Sequence, residues 1–158
     1  MGSEGTARPG FLIREFDAAR DAAIAGQILR EARGAASWSE QALRETALLP
    51  GVGAFVSEHD GAISGIVVGR QVLDEAEILN LAVRQELRRH GEGRALVHRI
   101  LQRFAEQKVS RVFLEVRESN AAGTAFYEKH GFSKTGRRAG YYRNPEEAAI
   151  RMERRLAG

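Results

Sequence analysis

Cysteine is absent from the 158 residues, which removes disulfides, zinc–thiolate sites and thiol nucleophiles together. Any chemistry must come from carboxylates, hydroxyls, imidazoles or the backbone. Long apolar runs are missing too. The longest, such as 66–68, or 78–83 with Asn80 inside it, fall far short of the roughly 18 residues that a membrane span needs. Residues 1–10 are small and polar, with no apolar run of the length a secretion signal requires. A cytoplasmic protein without membrane contact is expected. There is no Gly-Lys-Ser/Thr triphosphate loop, and the dinucleotide glycine pattern lacks its third glycine, which argues against ATP and NAD. His59, His90, His98 and His130 show neither i,i+4 pairing nor adjacent acidic ligands, so no metal site is expected.

What is present reads as one globular unit. A mass of 17.4 kDa fits a single domain, and 43% apolar with 28% charged residues excludes disorder over most of the length. Residues 1–9 read as a flexible leader and 10–158 as the domain. The net charge of +3 hides a split: residues 1–75 hold 7 basic and 11 acidic side chains, residues 76–158 hold 17 and 10. An anionic partner for the second half follows, whether nucleic acid, a phosphorylated cofactor or an acidic macromolecule.

Periodicity orders the elements as β α α β β β α β α β β. Phe11 to Ile13 is a short strand. Asp17 caps a helix carrying Ala18, Ala22, Ile24, Ala25, Ile28 and Leu29 at helical spacing, and Ser39 caps a second through Leu43 and Ala47. Strands 52–57 and 62–71 flank His59-Asp60-Gly61, a hairpin signal, and 76–83 completes a meander. From Gly91 the period changes: Leu96, Val97, Ile100, Leu101 and Phe104 mark an amphipathic helix. Residues 111–117 alternate as a strand. Ser119 or Asn120 caps a helix over 121–130 that Gly131 stops, and residues 148–156 form the last strand after a loop over 141–145.

Three groups could carry chemistry. Arg88-Arg89-His90-Gly91-Glu92-Gly93-Arg94 lies between a strand and the start of the long helix, where unpaired amides, the helix dipole and glycines without side chains make a phosphate seat. Glu115 and Tyr127, one on a strand and one on the following helix, could face one crevice; taken singly, each reads as an ordinary surface carboxylate or half-buried aromatic. Leu79 to Val83, directly before the glycine loop, is a core strand that a bulge or splay would open to offer free amides.

Asn80-Leu81-Ala82-Val83, Arg88-x-x-Gly91-x-Gly93-Arg94-Ala95-Leu96, Leu114-Glu115-Val116-Arg117-x-Ser119-Asn120 and Ala125-Phe126-Tyr127-x-x-x-Gly131-Phe132 stand in this order. The chain from about Phe11 to Leu156 resembles the GCN5-related N-acetyltransferases (GNAT). Through Ser37-Trp38-Ser39-Glu40, Val72 to Ala76 and Tyr141-Tyr142 it is most similar to the ribosomal-protein-alanine N-acetyltransferases. The resemblance implies an α/β (α+β) GNAT fold: a mixed, mostly antiparallel seven-stranded sheet splayed in the middle and flanked by about four helices. It also implies acetyl-CoA as cosubstrate, its pyrophosphate on amides of Arg89, His90, Gly91, Glu92, Gly93 and Arg94 beside Arg88, its acetyl and pantetheine portion along Leu81, Ala82 and Val83, and Asn120 in contact with it. By the same implication Glu115 is general base, Tyr127 general acid, and Trp38, Tyr141 and Tyr142 meet the acceptor. Three departures lie on the acceptor side: Ser37 where a proline is usual, a shortened loop after Tyr142, and Ala148 where a second acidic residue commonly follows Glu147.

Reference acidities bear on the implied reaction. An α-amine with pKa about 7.7 to 8 is about a tenth neutral at pH 7, against about 0.04% for a lysine, so a protein N-terminus asks little of its base. A glutamate's ordinary value near 4.3 suits relay through water or electrostatic positioning. A tyrosine near 10 donating to a thiolate near 8.5 works uphill by about 2 kcal/mol. The expected activity is acetylation of a protein N-terminus, that of a ribosomal protein beginning with alanine, by direct attack in a ternary complex. The same fold could instead serve another N-terminus, a lysine or a small amine. A non-catalytic RNA-binding module lacks aromatic interleaving and any recognition signature, so no direct nucleic-acid contact is expected. A monomer or weak dimer is expected.

Overall fold

The computed structural model describes residues 10–156 apart from 33 and 89, so Arg89 lies outside the described residues. The chain runs β1 (Phe11–Glu15), α1 (Ala18–Glu31), α2 (Glu40–Ala47), β2 (Val52–His59), β3 (Ala62–Val72), β4 (Glu75–Val83), α3 (Glu92–Glu106), β5 (Arg111–Arg117), α4 (Ala121–Lys129), β6 (Ser133–Tyr142) and β7 (Glu147–Arg155). The order is the one that periodicity predicts. Asp60 and Gly61 both take positive φ, 53° and 82°, which gives the tight β2–β3 turn the twist of its flanking strands. At the other end of the chain the expected loop over 141–145 is shorter: Tyr141 and Tyr142 finish β6, and Tyr142 pairs with Glu147.

The seven strands form one sheet in the order β1-β2-β3-β4-β5-β7-β6. Every pairing is antiparallel except β4 with β5, which are parallel and joined by just three residue pairs, Glu75–Glu77 against Arg111–Phe113. Beyond Glu77 the two strands part. No described helix is long and apolar enough to cross a membrane.

Each face of the sheet carries its own core. Helices α1 and α2 bury Ala22, Ala25, Ile28, Leu29 and Leu43 against Val56, Ile63, Ile66 and Val68. On the other face, Leu96, Val97, Ile100 and Phe104 of α3 pack on Phe55, Val67, Ile78, Val112 and Leu114, joined by Tyr127 of α4. A bulge in β4 changes which residues serve which face. Val68 is opposite Asn80 and Gly69 opposite Ile78, leaving Leu79 extra. Before it, Ala76 and Ile78 belong to the α3 core; after it, Leu81 and Val83 do, while Leu79 and Ala82 turn to the α1–α2 core. One inserted residue has shifted the parity of the strand.

A buried ion pair ties β1, α1 and β2 together. Asp21 is 1% exposed. It accepts from Arg14 Nη1 at 2.8 Å, from Arg14 Nη2 at 3.0 Å and from the Asp17 amide at 2.8 Å, while Arg14 also pairs with Glu58. Burial pushes the Asp21 carboxyl up, but the Arg14 and Asp17 hydrogen bonds and the charges of Arg14 and Arg20 outweigh it and hold the group below the usual carboxylate range. A depressed folded-state pKa stabilises the fold above the unfolded value, and that contribution disappears as pH falls through the folded one. Asp21→Asn is therefore expected to cost about 1.5–3 kcal/mol at pH 7, because it removes the charge that Arg14 bonds in two places and leaves that guanidinium with Glu58. The deficit against the parent should shrink steadily below about pH 4, as read by urea unfolding at both pH values.

Candidate functional site

The parted strands open a cleft of about 1150 Å³. One wall is β4 from Ile78 to Val83 and the start of α3; the other is β5 from Leu114 to Arg117 and the first turns of α4. Loop 34–37 and Tyr141 to Arg143 close its ends.

Helix capping sets the chemistry of the first wall. Asp17 caps α1 by accepting from the Ala19 and Arg20 amides, Ser39 caps α2 through Ala42, and Asn120 caps α4 through Gly123 at 2.9 Å. The α3 N-cap is Gly91, with φ 87° and no side chain to offer. The first helical bond of α3 is Ala95 N–H to Gly91 C=O, so the first-turn amides lack that partner, and they stand where Gly91, Gly93 and Arg94 line the cleft. Free amides and the positive end of a helix dipole favour an anion there. A Cβ on Gly93 would meet the Phe126 ring at 3.5 Å and Val83 Cγ2 at 3.9 Å, ordinary contacts that would fill the space the glycine leaves beside α4.

The other wall brings Glu115 and Tyr127 together on one cleft. Alternation along β5 buries Val112, Leu114 and Val116 and leaves Glu115 on the opposite face, its side chain 7% exposed. Arg138 Nη1 donates to Glu115 Oε2 at 3.0 Å. Tyr127 is 8% exposed, and burial raises the pKa of its phenol, holding it in the donor form. Glu77 of β4 is pushed up by burial and by the Glu115 charge, against the opposing charges of Arg151 and Arg138. Burial followed by the neighbouring Glu115 carboxylate also raises Tyr141, and Tyr142 is pushed up to about 12 by burial, Glu115 and Tyr141.

Most of the residues singled out from sequence meet here. Leu81, Ala82, Val83, Arg88, Gly91, Gly93, Arg94, Glu115, Asn120, Tyr127, Tyr141 and Tyr142 all line the cleft. Three others are placed differently. His90 is exposed and outside the lining. The Glu92 side chain turns inward, 1% exposed, and accepts hydrogen bonds from Ser57, at 2.9 Å, and Ser64, so of this residue the backbone alone is turned to the helix start. Trp38 is not among the residues lining the cleft; it packs, partly buried, on the α1–α2 core.

Two residues were not assigned these roles from sequence. Asn80, 6% exposed, is a clamp: its Oδ1 accepts from Ala36 N at 3.1 Å and Leu81 N at 3.1 Å, and its Nδ2 donates to Ala36 O at 2.9 Å. A polar residue inside the apolar run 78–83 was the available signal. Arg138 is the second, and its neighbours in sequence gave no sign of a partner 23 positions away.

Comparison with known proteins agrees with this geometry. The family model described as "Acetyltransferase (GNAT) family" matches residues 22–132. The [ribosomal protein bS18]-alanine N-acetyltransferase of Escherichia coli K12 is 38% identical over 88 residues, which are 56% of this chain and 60% of that protein. The chain thus matches less than two thirds of that relative's length. The crystal structure of the ribosomal-protein-S18-alanine N-acetyltransferase from Escherichia coli superposes with TM-score 0.84 at 32% identity, over 94% of this chain and 96% of that one. Ard1 from Thermoplasma volcanium does so with TM-score 0.85 at 28% identity, over 94% and 99%.

The clamp is open to a direct test. Asn80→Ala removes every side-chain bond to Ala36 and is expected to cost about 1–3 kcal/mol. Hydrogen exchange at the Ala36 amide should accelerate more than at the neighbouring core amides of β3.

Proposed function

Because the chain belongs to the acetyltransferase (GNAT) family, we propose that it moves the acetyl group of acetyl-CoA to the N-terminal α-amine of a protein, that of a ribosomal protein beginning with alanine. The observation that carries this reading is the coincidence in one cleft of an uncapped helix start with Glu115 and Tyr127. The Escherichia coli protein named for acetylating the alanine of ribosomal protein S18, which matches this fold nearly end to end, supports the choice of acceptor.

The residues present fit acetyl-CoA. The α3 amides, with Arg88 and Arg94 on the same rim, would take its diphosphate. The bare Cα of Gly93 keeps the passage beside Phe126 clear, and the β4 edge at Leu81 to Val83, unpaired with β5, offers backbone groups to its amide-bearing arm. When bound, acetyl-CoA supplies a thioester carbonyl as electrophile.

The chain's own groups then divide the work. Glu115 attracts the acceptor's ammonium form and takes a proton from it, directly or through water, leaving the neutral amine to attack. Tyr127 donates its hydroxyl proton to the departing sulfur. Burial makes that donor weaker than an ordinary phenol, so the proton must move as the carbon–sulfur bond breaks rather than after it. Asn120, whose Oδ1 is committed to the Gly123 amide, has its amide nitrogen for a contact in the cleft. Tyr141 and Tyr142 stand at the acceptor end.

Two experiments test the reading. Acetyl-CoA should raise the Tm, and mass spectrometry should find acetyl on the α-amine of alanine-starting peptides and not on polyamines; no turnover of any peptide would sink the proposed acceptor. Tyr127→Phe is expected to lower kcat by at least about 100-fold with the acetyl-CoA Kd unchanged. Equal turnover by that variant would remove Tyr127 from the mechanism.

A further inference from the structure

Glu115 already holds a cation. The guanidinium of Arg138 lies 3.0 Å from its Oε2 and 4.3 Å from the centre of the Tyr141 ring, between a carboxylate and an aromatic face. That pairing is what an ammonium group would seek at the same spot. The two partners differ in how firmly they are held. Glu115 is 7% exposed on the central strand β5, whereas Arg138 is 57% exposed on the edge strand β6.

The β6 backbone is irregular at this point. Arg138 pairs with Ala149 and Tyr142 with Glu147, so three residues of β6 span the place of one on β7. Gly140 takes φ 65° inside that bulge. Arg138 and Tyr141 therefore flank or occupy a stretch that lacks regular ladder bonds, where a side chain can swing with little disturbance to the sheet.

The other charges around Glu115 are fixed. Arg151 is its register partner on β7, stacked on Phe113 at 4.0 Å and bonded to Glu153 at 3.4 Å. Glu77 on β4 adds a second negative charge, and Tyr141 and Tyr142 on β6 add phenols that burial and Glu115 keep protonated. Of the two guanidiniums that offset the pair of carboxylates, Arg138 is the displaceable one.

We infer that Arg138 is a resident occupant of the acceptor-amine subsite, which the cationic amino group of the acceptor must displace from Glu115 in order to bind. This rests on the reading of Glu115 as the group that receives the acceptor amine. At pH 7 an α-amine arrives about nine-tenths protonated, so binding is an exchange of one cation for another. Such an exchange leaves the charge of the site unchanged and makes acceptor binding nearly independent of salt. It also places Arg138 among the positioning residues, since it acts on the acceptor through Glu115.

The test compares the intact protein with Arg138→Gln and Arg138→Lys, saturated with acetyl-CoA, on an alanine-starting peptide at low and high sodium chloride. Arg138→Gln is expected to lower the peptide KM by about fivefold, the weight of one ion pair at the protein surface, with kcat and the acetyl-CoA Kd unchanged. Its KM should then rise with salt, because a cation now approaches an uncompensated carboxylate, while Arg138→Lys keeps the parent's KM and flat salt response. A higher KM in Arg138→Gln, or a lower kcat with KM unchanged, would overturn the inference and make Arg138 a support for Glu115. If the parent protein binds acetyl-CoA but acetylates no peptide, the acceptor reading fails, and the inference with it; the parent's own activity thus separates the two failures.

Discussion

Everything functional in this molecule depends on two parallel strands that pair at one end and not at the other. Strands β4 and β5 share three residue pairs and then separate. Backbone groups that turn away from a ladder must find other partners or remain exposed to whatever enters. Each strand is held on its far side, β4 by β3 and β5 by β7, so the sheet survives the gap. The bulge at Leu79 sits where the parting begins, and it puts Asn80 beside Leu79 on the α1–α2 side. Without that shift in parity, Asn80 would face the α3 core, where an amide has no partner, and the strand would lose both its clamp and its reason to diverge.

The loop between α1 and α2 spans the gap that the strands leave. On one side Asn80 grips Ala36 through its peptide group. On the other, Gly34, with φ 85°, approaches Asn120 so closely that a Cβ would lie 2.6 Å from the amide nitrogen. Two asparagines on opposite walls thus border one loop, and the second also caps α4. The α3 start is supported from beneath instead. Its N-cap is a glycine, and the buried Glu92 carboxylate, in the first turn, rests on Ser57 and Ser64 of β2 and β3. A carboxylate there interacts favourably with the helix dipole from the interior, while the outward amides stay free for a ligand.

The sequence made the element order legible because each element has a local cause: the alternation over 111–117, the helical spacing of Leu96 to Phe104, the positive-φ pair Asp60-Gly61. It also located the cleft-lining residues around Gly91, Gly93, Glu115 and Tyr127, since glycines before a helix and polar residues at a strand end leave a pattern. Contacts between distant segments left none. Asn80 and Ala36 are 44 positions apart, Arg138 and Glu115 are 23 apart, and no spacing rule joins them. The packing of Trp38 on the α1–α2 core is another such contact, since its neighbours Ser37 and Ser39 carry no sign of which core lies within its reach. The burial of the Glu92 side chain was equally illegible, because Ser57 and Ser64, which receive it, lie 35 and 28 positions away.

The departures from the family pattern include Ala148, and the structure gives that one a physical meaning. Ala148 is 5% exposed and lies opposite the bulge of β6, between the pairs Arg138–Ala149 and Tyr142–Glu147. Strand alternation sets residue 148 on the face of Ile150 and Met152, away from Arg138 and Glu115, so a carboxylate in its place would be buried on the apolar side of β7 without Arg138 as a partner. Glu147 is committed elsewhere: the Ser119 amide donates to it and Arg117 bonds it at 3.2 Å, and these contacts, Ser119 first, outweigh burial and lower its pKa. That leaves Glu115 as the acidic side chain lining the cleft, with Glu77 behind it. A small residue at 148 therefore spares that face an unpaired buried carboxylate, and Arg138 keeps Glu115 as its partner.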